Sequence, residues 1–184
     1  MASNVGLDVR LLRADASESA QLMRAIAELV NRVYAVAEAG QWLPGTSRTT
    51  VAEVTELTRA GEIIVARLGG GSGAVVGVVR VKRLEAEIGE VGMLAADLEH
   101  RHLGIGRELS ALAIDLLRER GVTTIQKELL APRHWHQPSK RFMADWFERR
   151  DFKVVRRGGL EELYPRLAPL LATPCDLIIY QKPL

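Results

Sequence analysis

The chain of 184 residues is long enough for one domain with a substantial core and short for two. Its 47% apolar and 26% charged residues are those of a globular protein, and a net charge of +2 gives no global attraction for nucleic acid. A single cysteine excludes an internal disulfide, no apolar run approaches the ~20 residues of a membrane span, and the first residues lack a basic-then-apolar leader pattern, so a cytoplasmic protein with neither nucleic-acid nor membrane partner is expected.

Leu7 to Arg13 alternates weakly and reads as a first strand. Asp15-Ala-Ser-Glu18 has the spacing of a capping box, and Leu22, Ile26, Leu29, Val30 and Val33 recur at helical spacing as far as about Ala39, before Gly40. A loop from Trp42 ends at Thr50, which can cap a second helix over Val51 to Ala60. Glu62–Leu68 and Ala74–Val81 are rich in β-branched residues, and Gly69-Gly-Gly-Ser-Gly73 between them is a hairpin loop.

A third strand of this run, about Ala86 to Ala96, leads into Arg101-His-Leu-Gly104-Ile-Gly106-Arg107. An amphipathic helix follows as far as Arg120, with Gly121 at its end. A strand, a glycine turn and a helix N-terminus in that order make an anion site. The first N–H groups of a helix have no partner inside it, its dipole is positive there, and glycines let the backbone close on a phosphate. A dinucleotide fingerprint needs a third glycine where Leu109 stands, and a Walker A loop needs Lys-Ser/Thr where Arg107-Glu108 stand. Both readings fail, and Arg-x-x-Gly-x-Gly remains.

Thr123–Leu130 is the next strand, and Pro138-Ser139 opens a helix with Met143, Trp146 and Phe147 on one face. Phe152–Arg156 and Asp176–Gln181 are the last strands. Between Arg133 and Arg157 eight basic residues, Lys140 among them, stand against three acidic ones. This excess reads either as a solvated helix face or as attraction for an anionic ligand. The whole order argues one mixed α/β layer fold.

The glycine turn, and Ala144-Asp-Trp-Phe-Glu-Arg-Arg-Asp-Phe-Lys-Val-Val155 at its later position, resemble two signatures of the GNAT acetyltransferases. The resemblance extends along nearly the whole chain. It implies a single domain over residues 1–184, with a central, mostly antiparallel twisted sheet of about seven strands flanked by about four helices. It implies transfer of an acetyl group from acetyl-coenzyme A to a primary amine by direct attack in a ternary complex, with no metal. The other reading left open is a non-catalytic acyl-coenzyme A sensor. Two departures stand out: Phe147 occupies the place of a tyrosine that commonly serves as general acid, and Asp151 that of a glycine.

The resemblance makes Glu90 the general base, with Glu87 and Glu128 as fallbacks. It makes the N–H near Leu94 the donor to the thioester oxygen, with the pantetheine arm along Leu94, Ala95 and Ala96. The pyrophosphate would lie on the N–H groups of His102, Leu103, Gly104, Ile105, Gly106 and Arg107, with Arg101 locking the turn and Lys140 drawing the 3′-phosphate. Tyr164, Ser139 or water would protonate the thiolate. Trp42, Arg48, Glu128, Arg133 and Trp135 would face a small-molecule or peptide amine acceptor. Cys175 reads as a small buried hydrophobe, and His134 and His136 lack a third metal ligand. Pairing of two copies is compatible with the exposed strands or first helices of such a fold.

Overall fold

A computed structural model describes residues 6–184. The elements are β1 (Leu7–Leu11), α1 (Ala20–Ala37), α2 (Val51–Arg59), β2 (Ile63–Leu68), β3 (Ala74–Arg83), β4 (Ile88–Ala96), α3 (Ile105–Glu119), β5 (Thr124–Pro132), α4 (Pro138–Glu148), β6 (Lys153–Gly159) and β7 (Cys175–Pro183). The seven strands form one sheet in the order β1-β2-β3-β4-β5-β7-β6. Every neighbouring pair is antiparallel except β4 with β5. The mixed fold expected from the sequence is the fold observed.

Local chemistry sets the helix ends. α1 does not begin with the Asp15–Glu18 box, because residues 14–18 form a 3₁₀ turn. Its cap is Ser19, whose hydroxyl accepts from the Leu22 N–H at 3.3 Å. Thr50 caps α2 as expected, accepting from the Glu53 N–H at 3.1 Å. α3 follows directly on Gly104, which sits in the left-handed region at φ +69°.

Alternation along the central strands sends apolar side chains to both faces, so the sheet is buried on both sides. Ile63, Val65, Val78, Met93 and Ala95 pack under α1 and α2, against Met23, Ile26, Val30 and Val54. Ile64, Ala66, Val79, Val81, Val91 and Ile125 pack under α3 and α4, against Ile105, Leu109, Leu117 and Phe147. Phe147 further meets Tyr180 at 5.0 Å and Phe152 at 5.7 Å between ring centres.

α3 comes this close to the sheet because Gly77 of β3 has no side chain. A Cβ there would stand 2.3 Å from Ile105 Cγ2 and 2.8 Å from Leu109 Cδ1. Both contacts are buried core atoms at the start of α3.

Two features part the sheet at its centre. β4 and β5 pair only at Ile88↔Thr124, Gly89↔Ile125 and Glu90↔Gln126, although they run on to Ala96 and Pro132. β5 stays paired with β7 along its whole length, from Thr124↔Pro183 to Pro132↔Cys175. β4 instead carries a bulge against β3: Arg80 faces Gly92 and Val78 faces Ala95, so one extra residue lies on β4, with Met93 at φ +48°. A bulge bends its strand and raises the local twist. The β4 edge that faces β5 therefore has no strand partner beyond Glu90.

Replacing Gly77 with Ala must push α3 off the sheet. We expect a loss of ~1–3 kcal/mol, the range for overpacking a tight core. It would appear in urea unfolding as a lower midpoint at unchanged slope.

Candidate active site

The cleft opens where β4 and β5 part, on the face covered by α1. Glu90, the last paired residue of β4, is half-buried there. Its carboxylate lies over Gly92, where a Cβ would stand 2.7 Å from Oε1, so a glycine is what leaves room for it. Burial pushes the Glu90 carboxyl above its ordinary range, and the charge of Glu128 on β5 pushes the same way. Arg80, Lys82 and Arg48 act against that rise.

Glu128 is held from two sides. The Tyr164 hydroxyl donates to its Oε2 at 2.7 Å, and Gln126 Nε2 lies 3.5 Å from its Oε1. Gln181 on β7 donates to Gln126 Oε1 at 3.0 Å, which continues the chain of contacts. Burial, then the bond to Glu128, pushes the Tyr164 phenol up, so the proton of Tyr164 is held rather than offered. Tyr164, expected as an acid, thus has its hydroxyl proton on Glu128.

Arg48, on the loop between α1 and α2, stacks over the Tyr34 ring at 5.1 Å and stays exposed. Trp42 packs with Leu130, Leu160, Leu177 and Tyr164, and its indole N–H donates to Glu38 at 2.6 Å. Glu90, Glu128, Tyr164 and Arg48 lie close enough for their charges to act on one another. Trp135 covers Gly40, 3.6 Å from the place of a Cβ, and is exposed beside α1. Two residues of this wall escaped the sequence reading, Tyr34 and Glu38. They stand one turn apart near the end of α1, and a tyrosine four residues before a glutamate on an otherwise apolar helix face was the signal available.

Four expectations need correction. Lys140 is buried on α4, and its ammonium donates to the buried Glu38 carboxylate at 2.6 Å, so it is not free for a coenzyme phosphate. Arg133 turns to Asp176 at 2.6 Å and is an exposed strut of β7 rather than an acceptor contact. Ser139 gives its hydroxyl proton to the Ala37 carbonyl at 2.7 Å, which removes it as an acid. Glu87 is exposed ahead of β4, outside the cleft. Cys175 is buried as expected, and burial first of all pushes its thiol up to about 11.

The glycine turn lies at the far end of the parted edge. Leu98–Leu103 form a 3₁₀ turn after β4, and Asp97 caps it by accepting from the Glu99 N–H at 3.1 Å. Gly104 then starts α3, its carbonyl accepting from the N–H groups of Arg107 at 2.9 Å and Glu108 at 3.1 Å. The Arg107 N–H is thus taken, and its exposed guanidinium pairs with the Glu108 carboxylate at 3.0 Å. The Ile105 side chain is core, so that residue has only its N–H to offer. Gly106 faces Leu94, whose Cδ2 would lie 3.9 Å from a Cβ there, which sets the β4 edge and the α3 N-terminus side by side. His102 and Leu103 are exposed beside the turn, and the Arg101 side chain lies outside the described residues.

An unpaired strand edge of Leu94, Ala95 and Ala96 running into a helix N-terminus suits a ligand that pairs like a strand and ends in phosphate. The comparisons with known proteins give the family. The sequence model of the acetyltransferase (GNAT) family matches residues 23–147, and the chain belongs to that family. No curated protein matches it by sequence. Among solved structures it is similar to arylalkylamine N-acetyltransferase like 5b from mosquito, at 15% identity and TM-score 0.68 over 97% of this chain and 100% of the other. It is similar to Rv2747 from Mycobacterium tuberculosis, solved with CoA, at 18% identity and TM-score 0.63 over 96% and 99%. It is also similar to yncA from Salmonella typhimurium, solved with its cofactor acetyl-CoA, at 17% identity and TM-score 0.62 over 97% and 94%. Among the described residues no helix is long and apolar enough to cross a membrane.

Lys140→Met tests the corrected role. It strands the Glu38 carboxylate in a buried place, which costs ~3–5 kcal/mol for a broken buried pair. Thermal unfolding should show that loss, while calorimetric titration shows unchanged affinity for coenzyme A.

Proposed function

We propose that the chain transfers an acetyl group from acetyl-coenzyme A to a primary amine by direct attack, with both substrates bound at once. The observation that carries this reading is Glu90, a half-buried carboxylate raised by burial and by Glu128, where the unpaired edge of β4 begins. An amine of pKa near 10.4 is neutral in about one molecule in 10³ at pH 7, so attack needs a base. A carboxylate raised above its ordinary range is a stronger base than an ordinary one.

Acetyl-coenzyme A, when bound, supplies the activated acyl group. The chain does the rest. The N–H groups of Ile105 and Gly106 hold the pyrophosphate at the start of α3, and the Arg107 guanidinium would have to leave Glu108 to join them. The β4 edge at Leu94, Ala95 and Ala96 aligns the pantetheine arm, and the Leu94 N–H meets the thioester oxygen as negative charge develops there, a donor worth ~3 kcal/mol. Glu90 takes the amine proton. Glu128, fixed by Tyr164, keeps the Glu90 carboxyl raised. Phe147, 3% exposed, has no proton to give, and none is required, because a thiol with pKa near 8.5 leaves as thiolate. Arg48 and Tyr34 border the acceptor side, which takes a small-molecule or peptide amine; mosquito arylalkylamine N-acetyltransferase like 5b and the NatC complex bound to Gag peptide and CoA share the fold.

Glu90→Gln should lower kcat by ~10²–10⁴, the usual contribution of general-base catalysis, and leave the acetyl-coenzyme A affinity unchanged. Turnover undiminished in that variant removes Glu90 from the chemistry. Affinity without turnover in the native chain with a broad set of amines makes it an acyl-coenzyme A sensor.

The pH dependence follows from the same pair. The base works ionised, so kcat/KM should rise with pH through the Glu90 pKa, with its midpoint above the ~4.3 of an ordinary glutamate. Glu128→Gln removes a like charge, which lowers the Glu90 pKa. The rising limb must therefore move to lower pH, and a limb that stays or moves up contradicts the pairing.

A further inference from the structure

Arg48 is a charged side chain that the fold holds in place and leaves without an anion. It lies on the loop between α1 and α2, and other residues fix that loop. The Asn31 side chain of α1 accepts from the Thr49 N–H at Oδ1 and donates from Nδ2 to the Thr49 carbonyl, both at 3.0 Å. The Leu43 N–H donates to the Leu170 carbonyl at 2.8 Å, and Thr50 caps α2. The Arg48 guanidinium lies over the Tyr34 ring, 5.1 Å from its centre. Stacking of this kind orients a guanidinium and leaves its edge donors free. Arg48 is exposed, and among the described residues no carboxylate makes an ion pair with it. The acids whose charges reach it have other partners. Glu38 takes Lys140 and Trp42, and Glu53 takes the Thr49 hydroxyl at 2.8 Å.

The same face of the sheet carries Glu90. Tyr34 packs on the core cluster that holds Met93 and Ala95 of β4. Val91 belongs to the cluster on the other face, so alternation turns Glu90 to the face covered by α1. The charge of Arg48 acts on Glu90, Tyr34 and Tyr164. Most other charges nearby are committed. Glu128 takes the Tyr164 hydroxyl, and Arg80 pairs with Glu62 at 2.8 Å. Lys82 stands across from Glu90 on β3 and offsets part of its charge. Glu90 itself makes no hydrogen bond or ion pair among the described residues. A free carboxylate and a free guanidinium therefore lie within reach of each other's charge, and a ligand with an amine and an anion would satisfy both. One guanidinium beside Glu90 and Glu128 suits the single charge and planar fork of a carboxylate. A phosphate dianion would bring twice the charge up to the same two acids.

We infer that Arg48 binds a carboxylate of the acceptor, and that the acceptor is a free amino acid with its amine at Glu90. The assignment rests on the acetyl-transfer reading above, and it narrows the acceptor from any small-molecule or peptide amine to one that carries a carboxylate.

Thiol release from acetyl-coenzyme A, measured with α-, β- and γ-amino acids, each beside its amide, tests the assignment. At least one acid should turn over with kcat/KM about tenfold or more above its amide, the usual effect of one hydrogen-bonded charge pair. The amide has the less basic amine and the larger neutral fraction, so this preference cannot come from the amine. Arg48→Ala, at an exposed position, should raise KM for that acid by a similar factor, leave kcat nearly unchanged and erase the preference over the amide. Arg48→Lys should keep part of the preference, since an ammonium retains the charge and loses the fork. A structural role for Arg48 would lower turnover of acid and amide alike, and that result overturns the assignment.

Calorimetric titration of the same acids into the chain in the presence of coenzyme A separates this inference from the reading beneath it. Binding of an acid that Arg48→Ala abolishes, without turnover of any amine, leaves the carboxylate site standing and defeats acetyl transfer. Turnover of amines with no preference for acids overturns the carboxylate site and leaves acetyl transfer standing. Absence of binding by every acid overturns the carboxylate site.

Discussion

The parting of β4 from β5 after three paired residues is the constraint on which the site depends. A parallel pair in mid-sheet would ordinarily stay bonded along its length, since each unpaired N–H or C=O needs another partner. Here the two strands have incompatible commitments. β5 follows β7 without interruption, while β4 follows β3 through a bulge with Met93 in the left-handed region. The gap between them is thus built into the backbone and does not depend on any side chain in the cleft. The backbone groups it leaves free are the ones a strand-like ligand can pair with. Gly77 and the αL turn at Gly104 then fix where α3 starts relative to that edge.

The acceptor cleft is held by a second set of forces, which are polar. Glu38, at the end of α1, takes the Lys140 ammonium and the Trp42 indole N–H, each at 2.6 Å. The Ala37 carbonyl beside it takes Gln137 and Ser139 from the start of α4. α1 covers one face of the sheet and α4 the other, so these bonds tie the two layers together around the β5 end. A buried ion pair adds little stability over an apolar pair of the same shape, but it tolerates only one register. This pair joins the end of α1, one turn from Tyr34, to the start of α4.

Most of the fold was legible in the sequence because it rests on local periodicity. The glycine turn, the α3 stripe and the β-branched strands each carry their own pattern, and Gly40, Gly61 and Gly121 mark ends that the backbone does make with positive φ. Glu90 was placed through family resemblance and not by spacing. What escaped depends on pairing between distant residues. Nothing near Lys140 announces Glu38, 102 positions away, and nothing near Arg133 announces Asp176. A lysine within a basic run looks like a free cation, and only the fold shows that its charge is taken. The burial of Lys127 escaped for the converse reason: alternation in β5 points it inward, yet a lysine at an inward position reads as a strand surface until the opposite face is known to be covered.

Phe147 shows how the chemistry and the core are coupled in this chain. With a hydroxyl, residue 147 would need a hydrogen-bond partner where its ring now meets Tyr180, Phe152, Trp146 and the Lys127 ammonium. Without one, the ring is sealed in the core, and α4 contributes packing to that face while the proposed proton transfer rests on β4 and β5. This division is consistent with the energetics of the reaction. In the proposed reaction the demanding proton is the one on the amine, about six pKa units above an ordinary carboxylate, and it calls for a raised base. The thiolate is stable enough to leave unaided. A chain that keeps a raised glutamate and gives up a phenol has kept the group that the larger barrier requires.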